Sequence, residues 1–221
     1  YVSLFLGHYL AILQMKLQVL INMMINMKNK LTFIDLFSGC GGLSEGFYMN
    51  DFKCLLHLDN DHYSCETLRE RMKYYKYSDN EINILEKNIT DNDVIHEIDK
   101  IINNSIVDVV VGGPPCQSYS SLGKAKDKYS MKNDPRNFLF VNYLKILNHF
   151  KPKIFVFENV LGLLSAKIEN ENTFDIIVKG LKKKYNLLND PKSIILNSAD
   201  YGVPQIRKRV ILIGVRKDLD L

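Results

Sequence analysis

The chain has 221 residues, 46% of them hydrophobic, and carries 29 Lys and Arg against 25 Asp and Glu for a formal charge of +4. Such a composition suits one α/β domain with a substantial core and excludes a low-complexity chain. The small positive excess is compatible with a polyanionic partner, but it is common in proteins that bind none.

Residues 1–26 are apolar but interrupted by His8, Gln14, Lys16, Gln18, Asn22 and Asn26. No unbroken run there reaches the roughly 20 apolar residues that a membrane span needs. No basic stretch precedes the apolar part and no small-residue cleavage site follows it, as a secretory signal would require. We expect a nonessential helical extension over 1–26, a natural start at Met27, and one cofactor-binding and catalytic domain over 27–221.

From Lys30 onward, short apolar runs alternate with longer segments of mixed polarity, which predicts a mostly parallel sheet with helices on both faces. Strands are expected over 32–36, 53–58, 107–112, 154–158 and 210–215, with a further candidate over 193–197. VDVVVGG, KIFVFEN and RVILIGV are nearly continuous apolar runs, as expected of strands covered on both sides. Helices are expected over 43–50, 61–74, 138–150 and 173–184. Phe140, Tyr143, Leu144 and Leu147, then Phe174, Ile177, Val178 and Leu181, recur at helical spacing and read as core positions.

Cys40, Cys54, Cys65 and Cys116 form no CxxC pair, so a reducing, cytoplasmic compartment is expected rather than a secreted disulfide scaffold. The histidines at 8, 57, 62, 96 and 149 are scattered and predict no metal site.

FIDLFSGCGGLSEGF, residues 33–47, runs from an apolar strand through a glycine-rich turn towards a helix. Gly39, Gly41 and Gly42 allow a sharp turn and close backbone approach to a ligand, a pattern shared by sites for several nucleotide-like cofactors. Asp59 lies about 20 residues further on, where an acid commonly binds ribose hydroxyls. VDVVVGGPPCQSYS, residues 107–120, delivers Cys116 at the carboxyl end of a buried strand, the edge at which open α/β sheets bind ligands. Two prolines restrict the backbone just before that thiol. The other three cysteines fall in a turn, a strand and a helix, so Cys116 is the candidate nucleophile.

These segments, with FENV at 157–160 and NSADYGVPQIRKRV at 197–210, occur in the order found in the bacterial DNA (cytosine-5) methyltransferases, and the chain resembles that family across residues 35–210. The resemblance implies a Rossmann-like fold dependent on S-adenosylmethionine. It implies Phe37 against the adenine, Ser38, Gly39, Gly41, Gly42 and Leu43 near the methionine moiety, and Asp59 at the ribose, with Asn60, Asn88, Ile89, Pro115 and Leu139 as further contacts. It makes Cys116 the thiolate that attacks C6 of a cytosine swung out of double-stranded DNA, and Glu158 the acid at N3 and the exocyclic amine. Arg209 would hold O2 while Arg207 supports the pocket. Gln117, Ser120, Asn159 and Lys124 are the implied substrate contacts, and residues 117–136 resemble the family's mobile loop.

Two departures stand out. Asp59 replaces a Glu, and Asn88 replaces an Asp. The family also continues beyond the QxRxR strand into a target-recognition domain and two late motifs, so a second chain supplying them is an expected partner and the 221 residues alone are expected to act weakly. A cognate restriction endonuclease is a further expected partner. A remnant that only binds cofactor or DNA, and a tRNA cytosine-5 methyltransferase, are the rival readings.

Overall fold

The computed structural model describes residues 30–115, 138–168, 170–187 and 194–219. The expected extension over 1–26 and the loop over 117–136 lie outside them. The described chain runs β1 (Thr32–Leu36), α1 (Glu45–Met49), β2 (Lys53–Asp59), α2 (His62–Tyr74), β3 (Ile84–Glu86), α3 (Val94–Ile102) and β4 (Val109–Gly112). It continues through α4 (Leu139–Phe150), β5 (Ile154–Val160), β6 (Lys167–Ile168), β7 (Glu171–Asn172), α5 (Thr173–Leu181), β8 (Tyr185–Leu187), β9 (Ile195–Asn197) and β10 (Lys208–Arg216). The strand order is β3-β2-β1-β4-β5-β10-β8, with β9 also on β10. All pairs from β3 to β5 are parallel, whereas β10 runs antiparallel to β5 and β8.

Side chains of the central strands alternate between two apolar layers. Ile34, Leu36, Leu56, Leu58, Val110, Phe155, Phe157 and Leu212 share one with Ile98 of α3, Tyr143 and Leu147 of α4, and Ile177 and Leu181 of α5. Phe33, Val109, Val111, Val156, Ile211 and Ile213 share the other with Phe47 of α1 and with Phe52. Burial on both faces is why these strands read as continuous apolar runs. The fully buried Tyr143 also ties α4 to the sheet, its hydroxyl lying 3.0 Å from the Val156 carbonyl and 3.3 Å from that of Val110.

Local signals set several boundaries. The Asp61 carboxylate accepts from Ser64 N–H to start α2, and Asn172 accepts from Phe174 and Asp175 N–H to start α5. The helix expected over 43–50 is confined to Glu45–Met49, because the glycine-rich segment before it is all turn. The one expected over 173–184 stops at Leu181 and gives way to β8. The structure adds α3, whose buried Val94, Ile98 and Ile102 recur every four residues. It also adds the short strands β3 and β8 and the β6–β7 hairpin. No described helix is long and apolar enough to cross a membrane.

Chain order reverses between β1 and β4: β1 leads outward to β2 and β3, and the chain then returns to place β4 on the other side of β1. The carboxyl ends diverge there, leaving the crevice in which such sheets bind ligands.

Candidate active site at the carboxyl ends of the parallel strands

A cavity of about 410 Å³ opens at this point, lined by Phe37, Leu58, Asp59, Asn60, Lys87, Asn88, Ile89, Thr90, Pro115 and Leu139. Seven of these, Phe37, Asp59, Asn60, Asn88, Ile89, Pro115 and Leu139, are sequence-predicted cofactor contacts; Leu58, Lys87 and Thr90 are additions. The volume falls within the roughly 300–1,000 Å³ of small-molecule sites, and apolar walls with a few convergent polar groups are their usual chemistry.

Phe37 leaves β1 with φ of 58°, a left-handed conformation that a bulky residue rarely adopts and that clusters at ligand sites. Gly39 follows with φ of 52°, and no atom lies within 4 Å of where its Cβ would stand, so the turn offers bare backbone. The Gly39 N–H donates to Asp59 Oδ2 at 2.7 Å, and the Asp61 N–H to Asp59 Oδ1 at 2.9 Å. A carboxylate has roughly four acceptor sites, so Asp59 keeps capacity for ligand hydroxyls. These features fit a nucleoside-bearing cofactor. Ser38 is buried, donating its N–H to the Leu58 carbonyl at 3.1 Å, and Leu43 packs on the second apolar layer rather than lining the cavity.

Arg71 of α2 anchors the turn from behind, and the sequence reading missed it. Its Nη1 donates to the carbonyls of Cys40 at 2.7 Å and Gly41 at 2.9 Å, its Nη2 pairs with the buried Glu45, and its guanidinium lies 5.7 Å from the Tyr75 ring centroid. A lone Arg on an amphipathic helix gives no sequence signal of this, because its hydrogen-bond partners are 26 to 31 residues away.

The second half of the site lies where β4 meets β5. Gly112 pairs with Phe157, so the next residues on each strand, Gly113 and Glu158, are brought together. A Cβ on Gly113 would stand 2.8 Å from Glu158 Oε2, so this position must be glycine for the carboxylate to rest where it does. Asn159 is buried; its Nδ2 donates to the Pro114 carbonyl at 3.0 Å while its Oδ1 accepts from Val160 N–H at 2.9 Å. Two adjacent residues of β5 therefore hold the Gly-Gly-Pro-Pro segment, and Pro115 at its end lines the cavity. Cys116, Gln117, Ser120 and Lys124 lie outside the described residues. Of the other cysteines, Cys40 is exposed in the turn, and Cys54 and Cys65 are buried in β2 and α2.

β10 brings the arginines. Arg209 Nε donates to Glu158 Oε1 at 2.9 Å, with only 17% and 24% of the two side chains exposed. Arg207 is exposed, and its N–H donates to Asn197 Oδ1 at 3.1 Å. Burial pushes the Glu158 carboxyl above the usual carboxylate range, and the guanidiniums of Arg209 and Arg207 offset that only in part. A carboxyl whose affinity for a proton is raised in this way is better suited to proton transfer than an exposed one. Among the described residues, no group of three or more His, Cys, Asp or Glu converges as a metal site.

The family model described as C-5 cytosine-specific DNA methylase matches residues 31–221. Type II methyltransferase M.Bpa9945I of Bacillus paralicheniformis is 37% identical, over 85% of this chain and 54% of its own. Type II methyltransferase M.DdeI of Desulfomicrobium norvegicum is 38% identical, over 86% of this chain and 42% of its own. The chain thus spans about half the length of these curated relatives. Among solved structures, one described as an E. coli prophage-encoded DNA modification methyltransferase superposes with a TM-score of 0.68 at 27% identity, covering 87% of this chain and 48% of that one. A magnesium protoporphyrin IX methyltransferase from Synechocystis with bound SAM shares the fold, with a TM-score of 0.52 at 10% identity over 92% of this chain and 79% of that one. On this sequence and structural evidence, the chain belongs to the C-5 cytosine-specific DNA methylase family.

Proposed function

We propose that this chain binds S-adenosylmethionine in the cavity between Phe37 and Leu139 and carries the chemistry that methylates C5 of a cytosine in double-stranded DNA, as the modification arm of a restriction-modification system. The observation that carries this reading is the approach of Gly113 to the Glu158 carboxylate. It sets the acid beside the strand end that leads, three residues later, to Cys116, with the cavity adjoining.

S-adenosylmethionine, when bound, supplies an electrophilic methyl group on a sulfonium. Phe37, Ile89 and Leu139 offer apolar surface to its base, and Asp59 accepts from its ribose hydroxyls. A base inside the helix is out of reach, so the target cytosine enters the site flipped. The Cys116 thiolate forms a bond to C6, and Glu158 delivers its proton to N3 as charge builds in the ring. The ring then behaves as an enamine whose nucleophilic C5 would take the methyl group as the S–CH3 bond breaks, its electron pair staying on the sulfur of the thioether that leaves. A solvent base takes the C5 proton, the C–H electrons expel the Cys116 sulfur as thiolate, and N3 returns its proton to Glu158 as the aromatic ring is restored. Arg209, with Nε on Glu158 and Nη1 on the Lys208 carbonyl, would meet O2 through Nη2. Lys124 and its neighbours would contact phosphates without reading sequence.

The test is transfer of a labelled methyl group to duplex DNA and, in parallel, to tRNA. Label recovered as 5-methylcytosine from DNA supports the proposal. Label in tRNA alone, or in neither, contradicts it.

A further inference from the structure

A second cavity, of about 500 Å³, opens between α4, α5 and the β6–β7 hairpin and shares no lining residue with the cofactor cavity. Phe138, Val141 and Leu144 line it from α4, and Ile168 of β6 and Ile176 of α5 add further apolar surface. The first three are spaced three apart, so they share one face of the helix. Phe138 is 43% exposed and Val141 36%. The two helices approach closely at Gly180, where a Cβ would stand 2.7 Å from Leu144 Cδ1, and this glycine leaves the hollow without a side chain to fill it. An exposed apolar patch with a polar rim is the usual mark of contact with another macromolecule.

The rim carries both signs of charge. Glu171 of β7, Lys179 of α5 and Lys183 just beyond that helix line the groove and are exposed. None of the three forms an ion pair among the described residues. A uniformly acidic occupant would be repelled by Glu171, and a uniformly basic one by the two lysines. The phosphates of DNA would gain only from the lysines and would leave the apolar wall uncovered. A copy of the same surface, turned about a two-fold axis, answers every feature at once: lysines for the carboxylate, a carboxylate for the lysines, and a half-exposed ring for the hollow.

We propose that this face is the interface of a homodimer, in which Phe138 of each copy enters the groove of the other and Glu171 meets the partner's Lys179 and the partner's Lys183. The interface lies apart from Glu158, Arg209 and the cofactor cavity, so the proposal stands or falls independently of the methylation reading.

The test is sedimentation velocity of the full 221-residue chain over a range of concentrations, with circular dichroism to verify the fold of each variant. The native chain is expected to sediment as a dimer. Val141→Asp places a charge in the middle of the contact and should weaken the dimer by about a hundredfold or more. Val141 stands in the first turn of α4, where a carboxylate suits the helix, so the monomer should stay folded. Lys179→Glu with Lys183→Glu sets like charges against Glu171 and should weaken the dimer by about tenfold or more at low salt. Adding Glu171→Lys to that pair should restore association to within about threefold of native, because the reversed charges again face each other. A native chain that stays monomeric at about 100 µM, or forms larger assemblies, overturns the proposal. So does a dimer untouched by Val141→Asp, or a triple variant that associates no better than the double. A monomeric chain that loses affinity for duplex DNA on Lys179→Glu with Lys183→Glu would assign the groove to DNA instead.

Discussion

Asn159 Nδ2 donates a 3.0 Å hydrogen bond to the carbonyl oxygen of Pro114, joining strand β5 to the backbone two residues before Cys116. Because Glu158 is the preceding residue of the same strand, one element fixes the acid and restrains the approach to the thiol. Asn159→Ala and Asn159→Asp both remove the donor, the second with little change of shape. Either is expected to slow covalent attack on the cytosine by about 10²-fold, the effect of a misplacement near 1 Å, while cofactor affinity stays within about twofold. Single-turnover methylation and calorimetry check the split. Retained activity in Asn159→Asp would show that the hydrogen bond does not position the nucleophile.

Glu158 carries a pH prediction. Burial raises its pKa and Arg209 opposes the rise, so the carboxylic acid persists to higher pH than an exposed Glu and is lost as pH climbs through the raised value. The alkaline limb of the methylation profile should report this loss. Removing the opposing charge with Arg209→Met should move that limb to higher pH even as the absolute rate falls. A limb that moves to lower pH would contradict the assignment. Glu158→Gln should lose about 10²- to 10⁴-fold in rate.

Arg71 gives the cofactor turn its rear support. Arg71→Met should weaken S-adenosylhomocysteine binding about tenfold, since a buried hydrogen bond to a charged donor contributes about 1.5–3 kcal/mol. Arg71→Lys should restore little, because a point charge cannot span two carbonyls and a carboxylate at once. Calorimetry on the two variants checks this, and full rescue by Lys would show that charge alone suffices.

Across the β1–β2 pair, His57 Nδ1 lies 3.4 Å from the fully buried Asp35 carboxylate, and the Tyr48 hydroxyl is 2.7 Å from His57 Nε2. Burial alone would lower the His57 pKa, but Cys54 and Asp35 beside it outweigh that and raise it to about 10. A histidine with a raised pKa stabilises the fold fully below its unfolded value and loses that contribution as pH rises towards 10. Thermal stability should therefore decline on the alkaline side. Asp35→Asn, which strands the imidazolium, should cost about 3–5 kcal/mol by denaturant unfolding. A variant as stable as the native chain would mean that the imidazole is neutral.

Much of this was legible in the sequence wherever the signal was local. VVVGG and FVFEN announce buried parallel strands because both faces are covered, and the glycine-rich turn and Asp59 announce the cavity through spacing. Asp59 follows from its spacing, and six more of the ten lining residues are contacts that the family resemblance implies. The missed elements have their own reasons. Ile84–Glu86 and Tyr185–Leu187 are three residues each, too short to show a period. Val94–Ile102 has clean helical spacing but lies between motifs. Arg71 on Cys40 and Gly41, Asn159 on Pro114, and Asp35 against His57 are contacts between segments distant in the chain, which no local pattern encodes. The positive φ of Phe37 is likewise set by the strand-to-turn geometry around it.

The most direct measurement is covalent trapping on duplex DNA carrying 5-fluorocytosine, with S-adenosylmethionine present. Fluorine at C5 cannot leave as a proton, so an enzyme that attacks C6 stays bonded to the base. A protein–DNA adduct stable to denaturation is expected, mapped by mass spectrometry to Cys116 and absent from Cys116→Ser. An adduct on another residue, or methylation of ordinary cytosine that persists in Cys116→Ser, would contradict it.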